Sequence, residues 1–126
     1  MNTEIKLPHG QLPGSLELAY IGDTIYDFYV RRRLVIAGGR IKDMHRAAVS
    51  QVCATAQSKA LEKVEGMLTE AEKGVVRRAR NAKQTPPKNA DPADYHRATA
   101  FEALLGYLYL TNQNERLEEI LITANP

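Results

Sequence analysis

The segment 98–110, Ala-Thr-Ala-Phe-Glu-Ala-Leu-Leu-Gly-Tyr-Leu-Tyr-Leu, is apolar nearly all round and contains no proline. A helix without a polar face has to be covered on every side, so this stretch predicts a central, buried helix. Glu102 is its only charged residue. A second run, 16–32, has a similar character. Leu18, Ile21, Ile25 and Phe28 recur at the helical period, and Ala19, Tyr26 and Val30 widen that face. Asp23 falls inside this run, directly after Gly22. An ionised carboxylate among aliphatic and aromatic groups is costly unless a cation or several donors compensate it. Glycine within a helix costs about 1 kcal/mol relative to alanine, and its use there lets something approach the backbone. Two local rules broken side by side point to a working site. The simplest account is that Asp23 and Glu102 meet in space and share a hard divalent cation, for which oxygen ligands suit Mg2+.

The remaining chain fits a single all-α domain. Its 126 residues are enough for a core that needs no disulfide, and the one cysteine, Cys53, excludes a disulfide framework. Cys53 falls on a helical apolar stripe and reads as core. Residues 1–14 contain two prolines and two glycines and read as an irregular arm. No signal peptide or membrane span is apparent, which makes the protein cytoplasmic with no membrane partner. Ser15 is the expected N-cap of the first helix, and Gly38-Gly39 its stop. Arg31, Arg32 and Arg33 at that end suit the helix dipole or a phosphate. Asp43 is expected to cap a long alanine-rich helix that runs to Gly66, with His45 in its first turn as a structural or solvent-facing residue. Thr69-Glu-Ala-Glu72 is a capping-box sequence, and Asp91-Pro92 pairs an N-cap with proline at the first helical position. A short helix over 115–123 completes five to seven helices, with no strand-like alternation.

A net charge of +2 says little by itself; the placement of the cations says more. Lys73, Arg77 and Arg80 recur on one helical face, Arg78 and Lys83 extend it, and the polar, proline-broken stretch 81–91 carries Lys88. That stretch predicts an exposed basic loop. Guanidinium groups contact phosphate oxygens bidentately and ammonium groups contact them as point charges, so Arg77, Arg78, Arg80, Lys83 and Lys88 are the candidate phosphate-binding residues. No phosphate-binding glycine loop, metal-spaced histidine pair or nucleophile elbow is present.

The pair Tyr20-Ile-Gly-Asp23 and Phe101-Glu-Ala-Leu-Leu-Gly106 resembles the double signature of the ribonuclease III catalytic domain. The wording of 18–31, the segment 74–83 and the shortness of the chain resemble the Mini-ribonuclease III group of that family. The resemblance implies a single ribonuclease III-like helical domain over 1–126, with no double-stranded-RNA-binding domain after it. It implies a Mg2+-dependent endoribonuclease that cleaves double-stranded RNA and matures the large-subunit (23S) ribosomal RNA precursor. A ribosomal protein is a further candidate partner. Ribonuclease III proteins typically carry four acids; here the first falls on Ala19 and the third on Thr99, so only Asp23 and Glu102 carry over, with Glu17 and Asp27 merely nearby. The family habit of dimerising, together with the apolarity of 98–110, places a homodimer face on Leu104, Tyr107 and Leu108, with Gly106 permitting close approach. The alternative is a catalytically silent module that binds RNA or assists ribosome assembly.

Overall fold

The computed structural model describes residues 4–126; residues 1–3 of the expected arm lie outside the described residues. Among the described residues there are six α-helices and no strand: α1 (Ser15–Ala37), α2 (Ile41–Val52), α3 (Ala54–Val64), α4 (Glu70–Arg80), α5 (Pro92–Leu110) and α6 (Asn114–Ala124). The fold is all-α, as the sequence pattern requires. Residues 4–14 are irregular apart from one short 3-10 turn at Pro8–Gly10, and the arm is fastened by Asn112, whose side chain pairs with both the N–H and the carbonyl of Ile5.

Helix α5 is the centre of the molecule. It packs against α1, α3, α4 and α6, and Phe101, Leu104, Leu105 and Leu108 have no exposed surface. Each such side chain contributes about 1.5–3 kcal/mol by leaving water. Of the three residues expected on a dimer face, Leu104 and Leu108 are therefore already covered within one chain, and Tyr107 is half-buried. The physical reason is that four neighbouring helices suffice to cover an all-round apolar helix. Gly106 does serve close approach, but to α1 of the same chain.

The crossing of α1 and α5 is a backbone contact. A Cβ on Gly22 would overlap the carbonyl oxygen of Glu102, and one on Gly106 would overlap that of Leu18. Each helix thus supplies one glycine against the other's main chain. Beyond the crossing, Tyr26 meets Phe101 edge-on with ring centroids 5.1 Å apart. The face that α1 buries is made by Leu18, Ala19, Gly22, Tyr26, Tyr29 and Val30. Ile21 and Ile25 are half-buried and Phe28 is exposed, so the buried face is rotated from the one that periodicity predicts. The glycine sets that rotation, because Gly22 must face α5.

Several boundaries differ from the sequence expectation. Gly14, not Ser15, occupies the N-cap of α1. Arg40 precedes α2, and Asp43 lies in its first turn paired with Arg40. The long alanine-rich helix is two helices, because Cys53 adopts an extended conformation and ends α2 where α3 begins. That break turns Cys53 out to solvent instead of into the core. The capping box at Thr69 and Glu72 and the Asp91 cap form as expected. Glu72 is also buried and takes Arg116 of α6 bidentately, at 2.8 and 2.9 Å, which joins α4 to α6 and holds its carboxyl below the usual range.

Because the atoms met at the crossing are main chain, neither helix can yield without moving whole. Gly22→Ala and Gly106→Ala are each expected to lower unfolding free energy by about 3 kcal/mol or more. Urea denaturation would measure this; a loss below about 1 kcal/mol, the size of a tolerated surface change, would show that the crossing can open.

Candidate active site

Asp23 follows Gly22 on α1, and Gly22 packs against the main chain of Glu102 on α5. The two acids of the isolated runs line one cleft, close enough for Asp23 to act on the Glu102 carboxyl. They share a cleft of about 310 Å3 with Ala19, Tyr20, Gln57, Gln84 and Thr99 among its walls. Asp23 is exposed on the rim, and Glu102 is the more buried partner. Burial first, and then Asp23, push the Glu102 carboxyl up from its ordinary 4.5 to about 8; a bond from Gln57 opposes the shift. Two acids at hydrogen-bonding range cannot both be ionised cheaply.

The two positions at which the resemblance finds no acid, Ala19 and Thr99, lie in the same cleft. Ala19 offers no ligand. Thr99, nearly fully buried, shares its hydroxyl between the Tyr95 carbonyl at 3.1 Å and Gln84 Oε1 at 3.0 Å. Glu17 is exposed outside the cleft, and Asp27 pairs with Arg31 at 3.0 Å. Among the described residues no group of three or more acids, histidines or cysteines gathers to hold a metal. Any ion here would take two protein carboxylates.

The basic residues stand apart from this cleft. Arg77 and Arg80 line a second one, of about 390 Å3, with Lys73, Asn81 and Glu65. Arg78 is exposed on the same helix, its guanidinium folded back toward Gly74, and Lys83 and Lys88 are exposed in the following loop. Lys73 pairs with Glu70 at 3.4 Å. Arg97 of α5 links the two regions: it donates to Ser58, next to Gln57, and pairs with Glu65 of the second cleft. The Arg31–Arg33 triplet is occupied by Asp27, Glu118 and Asn125 respectively. His45 is exposed, and His96 is half-buried against Tyr95.

Sequence reasoning missed Gln57 and Gln84. The signal for Gln57 was present, since it falls on the helical stripe of Ala60, Leu61 and Val64 as the stripe's polar member. Gln84 lies in a polar loop, where nothing in the pattern separates it from its neighbours.

The family model described as the ribonuclease III domain matches residues 16–113. The chain is similar to the Mini-ribonuclease 3 of Symbiobacterium thermophilum, 53% identical over 111 residues, which cover 86% of this chain and 85% of that one. It is 43% identical to the Mini-ribonuclease 3 of a Thermoanaerobacter species over 123 residues, 95% of this chain and 87% of the other. A crystal structure of a protein from Fusobacterium nucleatum superposes with a TM-score of 0.81 at 32% identity, covering 86% and 88%. The helical fold is that of a ribonuclease III-type endoribonuclease. Within that class, the chain belongs to the Mini-ribonuclease 3 family.

The raised Glu102 carboxyl makes stability depend on pH. In the folded chain the group keeps its proton up to about 8, whereas unfolded it titrates near 4.5. Its contribution is fully present below the unfolded value and is lost as pH rises toward the folded one. Without divalent cations, wild-type Tm should fall between about pH 5 and pH 8.5 more than that of Glu102→Gln, whose amide does not titrate. Parallel slopes for the two proteins would mean that Glu102 is not held protonated.

Proposed function

We propose that the chain is a Mg2+-dependent endoribonuclease that cleaves double-stranded RNA, acts as a cytoplasmic homodimer and matures the large-subunit ribosomal RNA precursor. The observation that carries the reading is the meeting of Asp23 and Glu102 in one open cleft. The donor set fits the ion: two carboxylates raise each other's demand for positive charge, and their oxygens suit a hard cation that keeps most of its waters. A divalent cation held there supplies Lewis acidity and an oriented water for phosphodiester hydrolysis. The chain's own part is to hold the carboxylates in register through the glycine crossing. Uncharged Ala19 and Thr99 leave the rest of the cleft to substrate oxygens. A silent scaffold would need neither acid.

Substrate class follows from the cations. A-form RNA presents phosphates and 2′-hydroxyls, which exposed arginines and lysines contact without reading sequence. Arg77, Arg78, Arg80, Lys83 and Lys88 are exposed on α4 and the loop after it, which supports this reading. The ribosomal RNA precursor is the substrate that the family resemblance implies. The dimer belongs on α1, whose outward side exposes Leu16, Tyr20, Phe28 and Val35, with Tyr20 84% exposed beside the carboxylates. Among the described residues no helix is long and apolar enough to cross a membrane.

Asp23→Asn is expected to abolish cleavage of duplex RNA in Mg2+ while RNA affinity and Tm stay near wild type, since Asp23 is exposed. A variant that cuts at the wild-type rate would sink the carboxylate reading. Replacing Arg77, Arg80 and Lys83 with alanine should flatten the dependence of log affinity on log salt by roughly 0.7–0.9 for each phosphate that is no longer neutralised. An unchanged slope would place RNA elsewhere. Phe28→Asp combined with Val35→Asp should convert a sedimenting dimer to monomer and remove cleavage of both strands. Wild-type protein that is monomeric at micromolar concentration and still cuts both strands rules the dimer out.

A further inference from the structure

Gln57 is only 2% exposed, on a stripe of α3 otherwise built from Ala60, Leu61 and Val64. Its Nε2 donates to the carbonyl of Val52, the last residue of α2, at 2.9 Å, and to Glu102 Oε2 at 3.3 Å. Both amide hydrogens therefore meet acceptors. Turning the amide over would set its oxygen against the Val52 carbonyl, which can only accept, so the orientation is fixed. The consequence is that Oε1 is buried without a protein partner. A buried acceptor left without a donor is costly. Methionine would fill a similar volume without that deficit, so packing alone does not account for glutamine here.

We propose that Gln57 is a positioning residue of the carboxylate site, holding Glu102 Oε2 so that the carboxylate is oriented, with Asp23, to take a divalent cation. The break at Cys53 is part of the device. It ends α2 at Val52, whose carbonyl takes one amide hydrogen and aims the other at Glu102. Groups that orient metal-binding side chains typically change metal affinity about 10–100-fold when removed. The inference rests on the cation-site reading above, and the experiment separates the two.

Mn2+ binding to the whole protein, without RNA, is measured by calorimetry for wild type, Gln57→Met and Asp23→Asn. Wild type should bind, Asp23→Asn should not, and Gln57→Met should bind about tenfold more weakly. The Mg2+ concentration needed for half-maximal duplex cleavage by Gln57→Met should rise by a similar factor, with kcat at saturating Mg2+ within about twofold of wild type. If Gln57 merely tied α3 to α2, its loss would lower Tm and leave Mn2+ affinity unchanged. Gln57→Met protein with wild-type Mn2+ affinity overturns this proposal and leaves the cation site standing. Wild-type protein that binds no Mn2+ overturns both. Should Gln57→Met fail to fold, Gln57→Glu keeps the shape and adds a charge beside Glu102; wild-type Mn2+ affinity in that variant likewise overturns the proposal.

Discussion

The structure depends on one close contact, the backbone crossing of α1 and α5 through Gly22 and Gly106. Helices that meet through side chains stand about 8–10 Å apart, and a contact to the main chain brings them nearer. That nearness lets an acid on one helix reach an acid on the other. It also fixes which side of α1 is buried, because Gly22 must look at α5. The rest of the core, with Phe101 against Tyr26 and the leucines of α5 beneath α3, α4 and α6, packs around a crossing whose geometry has no freedom left.

The same contact explains why an otherwise apolar helix carries an acid. Glu102 sits one turn before Gly106, so it cannot leave the crossing without dragging α5 with it. Its carboxyl is pushed up by burial and by Asp23, an arrangement that hydrophobic packing alone would never select. The α2–α3 break adds Gln57 as the neighbour that resists the shift. Strain of this kind is retained where a ligand or a reaction makes use of it.

The buried acid elsewhere in the chain is fully paired and serves the fold. Glu72 is both the N3 partner of Thr69 and the bidentate acceptor for Arg116, with Arg116 also reaching the Met67 carbonyl. A buried acid with its guanidinium beside it is held ionised. Glu72 and Glu102 are the same residue type shifted in opposite directions: Arg116 lowers the one, while burial first and then Asp23 raise the other.

Much of this was legible in the sequence. The apolarity of 98–110 specified a central helix, because no other arrangement removes so many leucines from water. Asp23 and Glu102 stood out as the acids that broke two apolar runs. The Thr69 capping box and the Asp91 cap were readable because they are local hydrogen bonds between near neighbours. Non-local facts were not readable. Periodicity could not show that α1 is rotated by a glycine contact, nor that Leu104 and Leu108 find enough cover inside one chain. The break at Cys53 has no glycine or proline to announce it, so one long helix was expected and its cysteine was assigned to the core. Gln57 became part of the site only when α3 was laid across α5. Local patterns record which residues must leave water; which atoms they meet there is decided by helices distant in sequence, and that information exists only once the chain is packed.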